Sequence, residues 1–257
     1  MTGKKIKIAL CLSGEPRNSM FCFPYIYESF INLGLEYEID VYIHTRKTFR
    51  AYPLYNCERY MLDHTTPSEL LQKTINFSLP SELEVLGDFY LGFTNNNNFV
   101  TSQLLMLDGI QKSFQLSLLD HHQYDIYIRC RPDIFTDSSL KIHHIIEDIL
   151  REKYDMFIPL KDFDPNTPEY NKSQNEYNDQ LAIGNFKSTE VYSNTIDNLE
   201  YLLNQTKEWK CEYWLKKQLD SYDIKIKNES LPFSLARNVK LQSNRGQNLF
   251  DMLYLNP

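Results

Sequence analysis

The stretch that most constrains this chain is Tyr124-Asp125-Ile126-Tyr127-Ile128-Arg129-Cys130-Arg131-Pro132-Asp133. Ile126, Tyr127 and Ile128 are β-branched or aromatic and follow a polar turn over 120–123, which is the pattern of a strand. Pro132 lacks the N–H that a sheet ladder needs, and it keeps Arg131 in extended space. The strand therefore stops with two guanidiniums and a carboxylate at its tip. In open α/β sheets, ligands bind just outside the carboxyl ends of the strands.

The segments before this strand supply neighbours that can bury it. Residues 6–12 are a short apolar run and read as a buried first strand. It stops at Ser13-Gly14-Glu15-Pro16-Arg17-Asn18, a turn-rich loop. A helix is expected over 21–33, with Phe23, Ile26, Phe30 and Leu33 at helical spacing, and a second strand over 39–44. Strand, loop, helix, strand is the opening of a right-handed βαβ unit, so the fold class is α/β. The clearest helix spans 102–118, with Leu104, Leu107, Ile110, Phe114 and Leu118 on one face.

Beyond Asp133 the pattern predicts helices over 145–153, 189–203 and 212–219, and short strands over 156–159 and 224–227. Residues 47–62 have no clear period; a short helix over 68–74, a short strand over 83–86 and a polar loop over 95–98 follow. Residues 161–178 form a long polar loop of the kind that is usually functional or mobile, and 231–257 reads as an irregular tail. No repeat or linker divides the 257 residues, which suit one domain.

Charge and cysteine usage narrow the function. The net charge is -7 and no basic run tracks a phosphate backbone, so a nucleic-acid partner is disfavoured. The five cysteines are scattered without a C-x-x-C pair, which points to reduced thiols in the cytoplasm, not to a disulfide framework or a zinc site. The apolar run near the N-terminus is too short for a signal peptide or a membrane span.

Several groups can carry chemistry. Alternation puts Arg129, Arg131 and Asp133 on one face. Arginine forks suit phosphate oxygens, and a carboxylate beside a diphosphate suits a hard divalent cation; the alternative is a structural ion pair ending a strand. In the loop 13–18, backbone N–H groups can cradle a nucleotide and Arg17 can neutralise a phosphate, or the loop simply joins strand to helix. It carries neither G-x-G-x-x-G nor G-x-x-x-x-G-K.

Asn178-Asp179-Gln180 lies where a polar loop meets a strand or helix, so Asp179 is a general base, a holder of a sugar hydroxyl, or a cap. His44 reads as a structural hydrogen-bonder, and His121, His122, His143 and His144 as solvated. Of Trp209, Glu212 and Trp214, a sugar-stacking platform is one reading; Trp214 is assigned to the core, and Glu212 is left open as a helix-start carboxylate.

The order of these motifs, 8–17, 39–45, the helix from Ser102, 124–133 and 178–184, resembles a group of GT-A-type glycosyltransferases. The group occurs in surface-polysaccharide gene sets of bacteria and in large DNA viruses. The resemblance implies a GT-A-like Rossmann-type mixed sheet, mostly parallel and flanked by helices. It implies a donor-binding half over about 1–135 and an acceptor-side half over about 136–257.

By the same resemblance the enzyme is a hexosyl- or deoxyhexosyltransferase. The resemblance implies action in cytoplasmic polysaccharide biosynthesis on a UDP-linked or similar nucleotide-sugar donor and a glycan acceptor. Ser13, Gly14, Arg17, Arg129 and Arg131 fall near the nucleotide and its diphosphate. Asp133 takes the place of the D-x-D motif that holds Mn²⁺ or Mg²⁺, although Arg131 stands where the first carboxylate belongs. Asp179 falls where the catalytic base is expected. A non-catalytic nucleotide- or carbohydrate-binding relative is the alternative.

Overall fold

The computed structural model describes residues 4–14, 19–45, 60–64, 98–119, 123–136, 140–160, 176–206 and 210–235. The elements expected over 68–74 and 83–86, most of the loops at 47–62 and 161–178, Arg17, His121, His122 and Trp209 lie outside these residues.

Strands β1 (Ile6–Ser13), β2 (Tyr37–Thr45), β3 (Tyr60–His64) and β4 (Ile126–Cys130) run parallel to one another. β6 (Met156–Phe157), β7 (Leu181–Gly184) and β8 (Ile226–Lys227) complete a seven-stranded sheet ordered β3-β2-β1-β4-β7-β6-β8. β7 is antiparallel to both β4 and β6, so the sheet is mixed and mostly parallel. Helices flank it: α1 (Ser19–Ile26, continued by a π turn Tyr27–Ile31), α2 (Asn98–Leu119), α3 (His143–Leu150), α4 (Phe186–Ser193), α5 (Leu199–Thr206) and α6 (Cys211–Ser221). Among the described residues, no helix is long and apolar enough to cross a membrane.

Strand alternation divides the core into two layers. Ile8, Leu10, Leu12, Ile126, Ile128, Cys130, Leu181 and Ile183 face α1 and α3. Ala9, Cys11, Tyr127 and Ala182 face the layer of α2, α4, α5 and α6, where Leu104, Leu107, Ile110, Tyr192 and Trp214 are buried. Trp214 is core, as its helical position predicts. At Gly109, α2 lies close over the sheet: a Cβ there would be in ordinary contact, 3.4 Å from the Ser13 Cβ and 3.5 Å from His44 Nδ1.

Four expectations change. Leu118, at the end of the predicted apolar face, is 41% exposed. The helix predicted over 189–203 is interrupted by a 3₁₀ turn, Asn194–Asn198, where Thr195 Oγ1 donates to the Tyr192 carbonyl; short polar side chains that bond to nearby backbone favour such breaks. His143 is only half-exposed, because its Nε2 bonds to the Leu33 carbonyl at 2.8 Å and its ring packs edge-on to Tyr37. Within the expected irregular tail, β9 (Phe233–Leu235) pairs antiparallel with β5 (Ile134–Thr136).

Candidate functional site

After β1 the chain builds outward through β2 and β3, then returns to the other side of β1 with β4. The order reverses between β1 and β4, and such a switch point opens a crevice at the carboxyl ends of the strands. Ser13 closes β1 there, with its hydroxyl buried and lacking a hydrogen-bond partner among the described residues. Gly14 follows at φ 129°, a conformation that L side chains rarely adopt. A Cβ on it would sit 3.6 Å from Pro132 Cδ, so the loops leaving β1 and β4 lie close together.

The β4 ladder runs one residue past the strand, because the Arg131 amide donates to the Gln180 carbonyl at 2.9 Å. Pro132, with no N–H, ends it. The Arg131 guanidinium turns onto Asp133: Nε donates to Oδ1 and Nη2 to Oδ2, each at 2.8 Å. Its remaining Nη1 stands 3.9 Å from Asp179 Oδ2, an ion-pair distance but not a hydrogen bond.

Asp179 is held by its neighbours in the loop. The Asn178 side-chain oxygen accepts from the Gln180 amide at 2.7 Å, which bends the backbone around Asp179. Tyr192, from α4, donates its hydroxyl to the Asn178 carbonyl at 3.2 Å, and the Tyr177 amide donates to the Glu212 carbonyl of α6 at 3.1 Å. The loop is thereby fastened between two helices. Burial raises the proton affinity of Asp179 above that of an ordinary carboxylate, and Glu212 raises it further; Arg131 and Arg129 oppose both.

Arg129 lies deeper. It is only 2% exposed and faces the α2 and α4 layer, flanked in register by the small residues Cys11 and Ala182. None of its three guanidinium nitrogens has a hydrogen-bond partner among the described residues. Burial lowers its proton affinity, while Tyr192, Asp179 and Cys130 act in the other direction.

The structure thus brings Ser13, Gly14, Arg129, Arg131, Asp133 and Asp179 to the carboxyl ends of β1, β4 and the start of β7. Of the readings for Arg131, the structure shows the ion pair: two nitrogens bind Asp133 and a third faces Asp179. A divalent ion on Asp133 is a poor fit to this arrangement. Its carboxylate is fully buried, and each oxygen already accepts an N–H from a cation.

Sequence reasoning left out Tyr192 and did not connect Glu212 with Asp179. Neither has a local motif, since both reach the site from helices packed across the loop. No protein-family model matches the chain, and no curated protein does.

Proposed function

We propose that the chain is a GT-A-like glycosyltransferase that moves a sugar from a nucleotide-diphosphate sugar to a hydroxyl of a glycan or other acceptor. One observation carries this reading. The loops after β1 and β4 come close at the switch point, where Gly14 lies beside Pro132, and Arg131 and the buried carboxylate Asp179 border the same place. Phosphate-bearing ligands favour this crevice in open α/β sheets, and a transfer centre needs both a cation and a base.

In this reading the nucleotide lies over Ser13 and Gly14, and the diphosphate lies against Arg131. The acceptor oxygen attacks the anomeric carbon, and the bond from that carbon to the diphosphate oxygen breaks. The electron pair leaves on the diphosphate, where an arginine steadies the growing charge. The acceptor proton passes to Asp179, whose raised proton affinity suits a base working nearer neutral pH than an ordinary aspartate. Mn²⁺ or Mg²⁺, where bound, adds positive charge at the diphosphate, but no step here depends on it.

A second reading, a nucleotide- or carbohydrate-binding relative without turnover, is favoured by the Arg131–Asp133 fork, which withholds a carboxylate from any metal. Melting-temperature shifts with a panel of nucleotide sugars, with Mn²⁺ and with EDTA, combined with an assay for nucleoside-diphosphate release, separate the two. A UDP-linked hexose or deoxyhexose is expected to raise the melting temperature and, with acceptor present, to release UDP. A shift without release supports the binding relative. No shift with any nucleotide or nucleotide sugar at saturation rules out both.

A further inference from the structure

Buried polar atoms nearly always find hydrogen-bond partners, and a buried cation is costly unless an opposite charge answers it. Arg129 departs from both rules. It is 2% exposed, its three guanidinium nitrogens lack hydrogen-bond partners among the described residues, and it forms no ion pair with any of them. An arginine does not shed its proton in a protein, so the charge stays. Its neighbour Arg131 is different, because the fully buried carboxylate of Asp133 answers it through two hydrogen bonds.

Three more buried side chains carry an atom without a partner among the described residues: Ser13 Oγ, Asn178 Nδ2 and Gln180 Oε1. The sheet register gathers them around Arg129. Arg129 pairs with Cys11 on one side and with Ala182 on the other. Ser13 stands two residues after Cys11, and Gln180 two before Ala182. Alternation therefore puts both on the face of Arg129, one pleat nearer the crevice. The bond from the Arg131 amide to the Gln180 carbonyl, 2.9 Å, carries this register past the end of β4. The Asn178 side-chain oxygen accepts from the Gln180 amide at 2.7 Å, which leaves its Nδ2 as a donor. On this face the flanking residues Cys11 and Ala182 are small, and α2 lies beside Ser13 at Gly109.

The unpartnered groups are a guanidinium, an amide nitrogen and a hydroxyl, against one amide oxygen. Donors in excess around a buried cation suit an anion, since charge-assisted bonds are the strong ones. We propose that these side chains form an anion site: a small monovalent inorganic anion of the chloride class lodges between the sheet and α2, held by Arg129 with Ser13 and Asn178 as further donors. Water can accept some of these N–H groups but brings no charge. A diphosphate in the crevice meets Arg131 first, because that side chain is 13% exposed and Arg129 lies beneath. The site stands whether or not sugar transfer does.

The test is the melting temperature of the full chain as chloride replaces gluconate, an anion too large for a core site, at constant ionic strength. The wild type should rise by about 3–6 °C for each tenfold increase in chloride past half-saturation, and bromide should act in the same way. R129M, which removes the charge and keeps an unbranched side chain, should show no such dependence. A flat wild-type profile overturns the proposal. So does a rise that R129M shows equally, which is a general salt effect. A chloride dependence abolished by saturating UDP would put the ligand's phosphate on Arg129 and overturn it as well. If R129M does not fold, anomalous diffraction from crystals grown in bromide decides the matter. A bromide peak within hydrogen-bonding reach of the Arg129 guanidinium is expected, and no peak there overturns the proposal.

Discussion

Replacing Asp133 with Asn tests what this carboxylate is for. Asp133 is fully buried, and its two oxygens accept from Arg131 Nε and Nη2 at 2.8 Å. Asn keeps one acceptor oxygen but presents an N–H to the second donor, so one bond becomes a clash of like dipoles and the guanidinium loses its counter-charge. Removing one partner of a buried ion pair costs about 3–5 kcal/mol. The Arg131 side chain is 13% exposed and keeps some hydration, so about 3 kcal/mol is expected.

For a chain of this size each kcal/mol lowers the melting temperature by about 2–4 °C, so the fall should be roughly 6–12 °C. Thermal and urea unfolding followed by circular dichroism measure it. The double variant Arg131→Met, Asp133→Leu should recover much of the loss, because it leaves no unpaired buried charge. A loss below about 1 kcal/mol for D133N, typical of an exposed pair, would refute the reasoning. Abolition of a Mn²⁺-dependent donor shift at unchanged stability would instead make Asp133 a metal ligand.

Three further predictions come from the same geometry. Gly14→Ala, forced to φ 129°, should destabilise the protein by about 1–3 kcal/mol in urea unfolding and weaken UDP binding; an unchanged midpoint would contradict it. The proton affinity of Asp179 is raised in the folded state, so the stability linked to it is full below its unfolded value of 3.8 and is lost as pH rises through the higher folded value. D179N should therefore melt progressively higher than wild type as pH rises toward neutrality and should match it in acid; the opposite trend would mean that the arginines outweigh burial. Cys11, Cys22, Cys130 and Cys211 are all buried. In a C57S background, Ellman's reagent should label the protein only on unfolding, and rapid labelling at pH 8 would contradict the packing.

Much of the frame is legible in the sequence because it depends on local pattern. The runs 8–12 and 126–128 are apolar enough to be buried on both faces, and the period of Leu104, Leu107 and Ile110 fixes α2. β5 and β9 escape notice because three-residue strands carry no period and their pairing joins Ile134 to Leu235, far apart in the chain. At the site, Arg131, Asp133 and Asp179 could be found because strand ends and turns mark themselves with Pro and Asn. Alternation also places Arg129 on the same face as Arg131, but not the depth at which it is covered. That depth comes from α2 and α4 closing over the small residues Cys11 and Ala182, a tertiary fact without a local signal.

The measurement closest to the central claim is nucleoside-diphosphate release from a panel of nucleotide sugars, comparing wild type with D179N in the presence of acceptor. The account predicts release by wild type with at least one donor. It predicts a rate about 10²–10⁴-fold lower in D179N, the usual contribution of a positioned base, with the donor's melting-temperature shift retained. Release by D179N at the wild-type rate would remove Asp179 from the chemistry. Neither release nor a donor shift in wild type would contradict glycosyl transfer altogether.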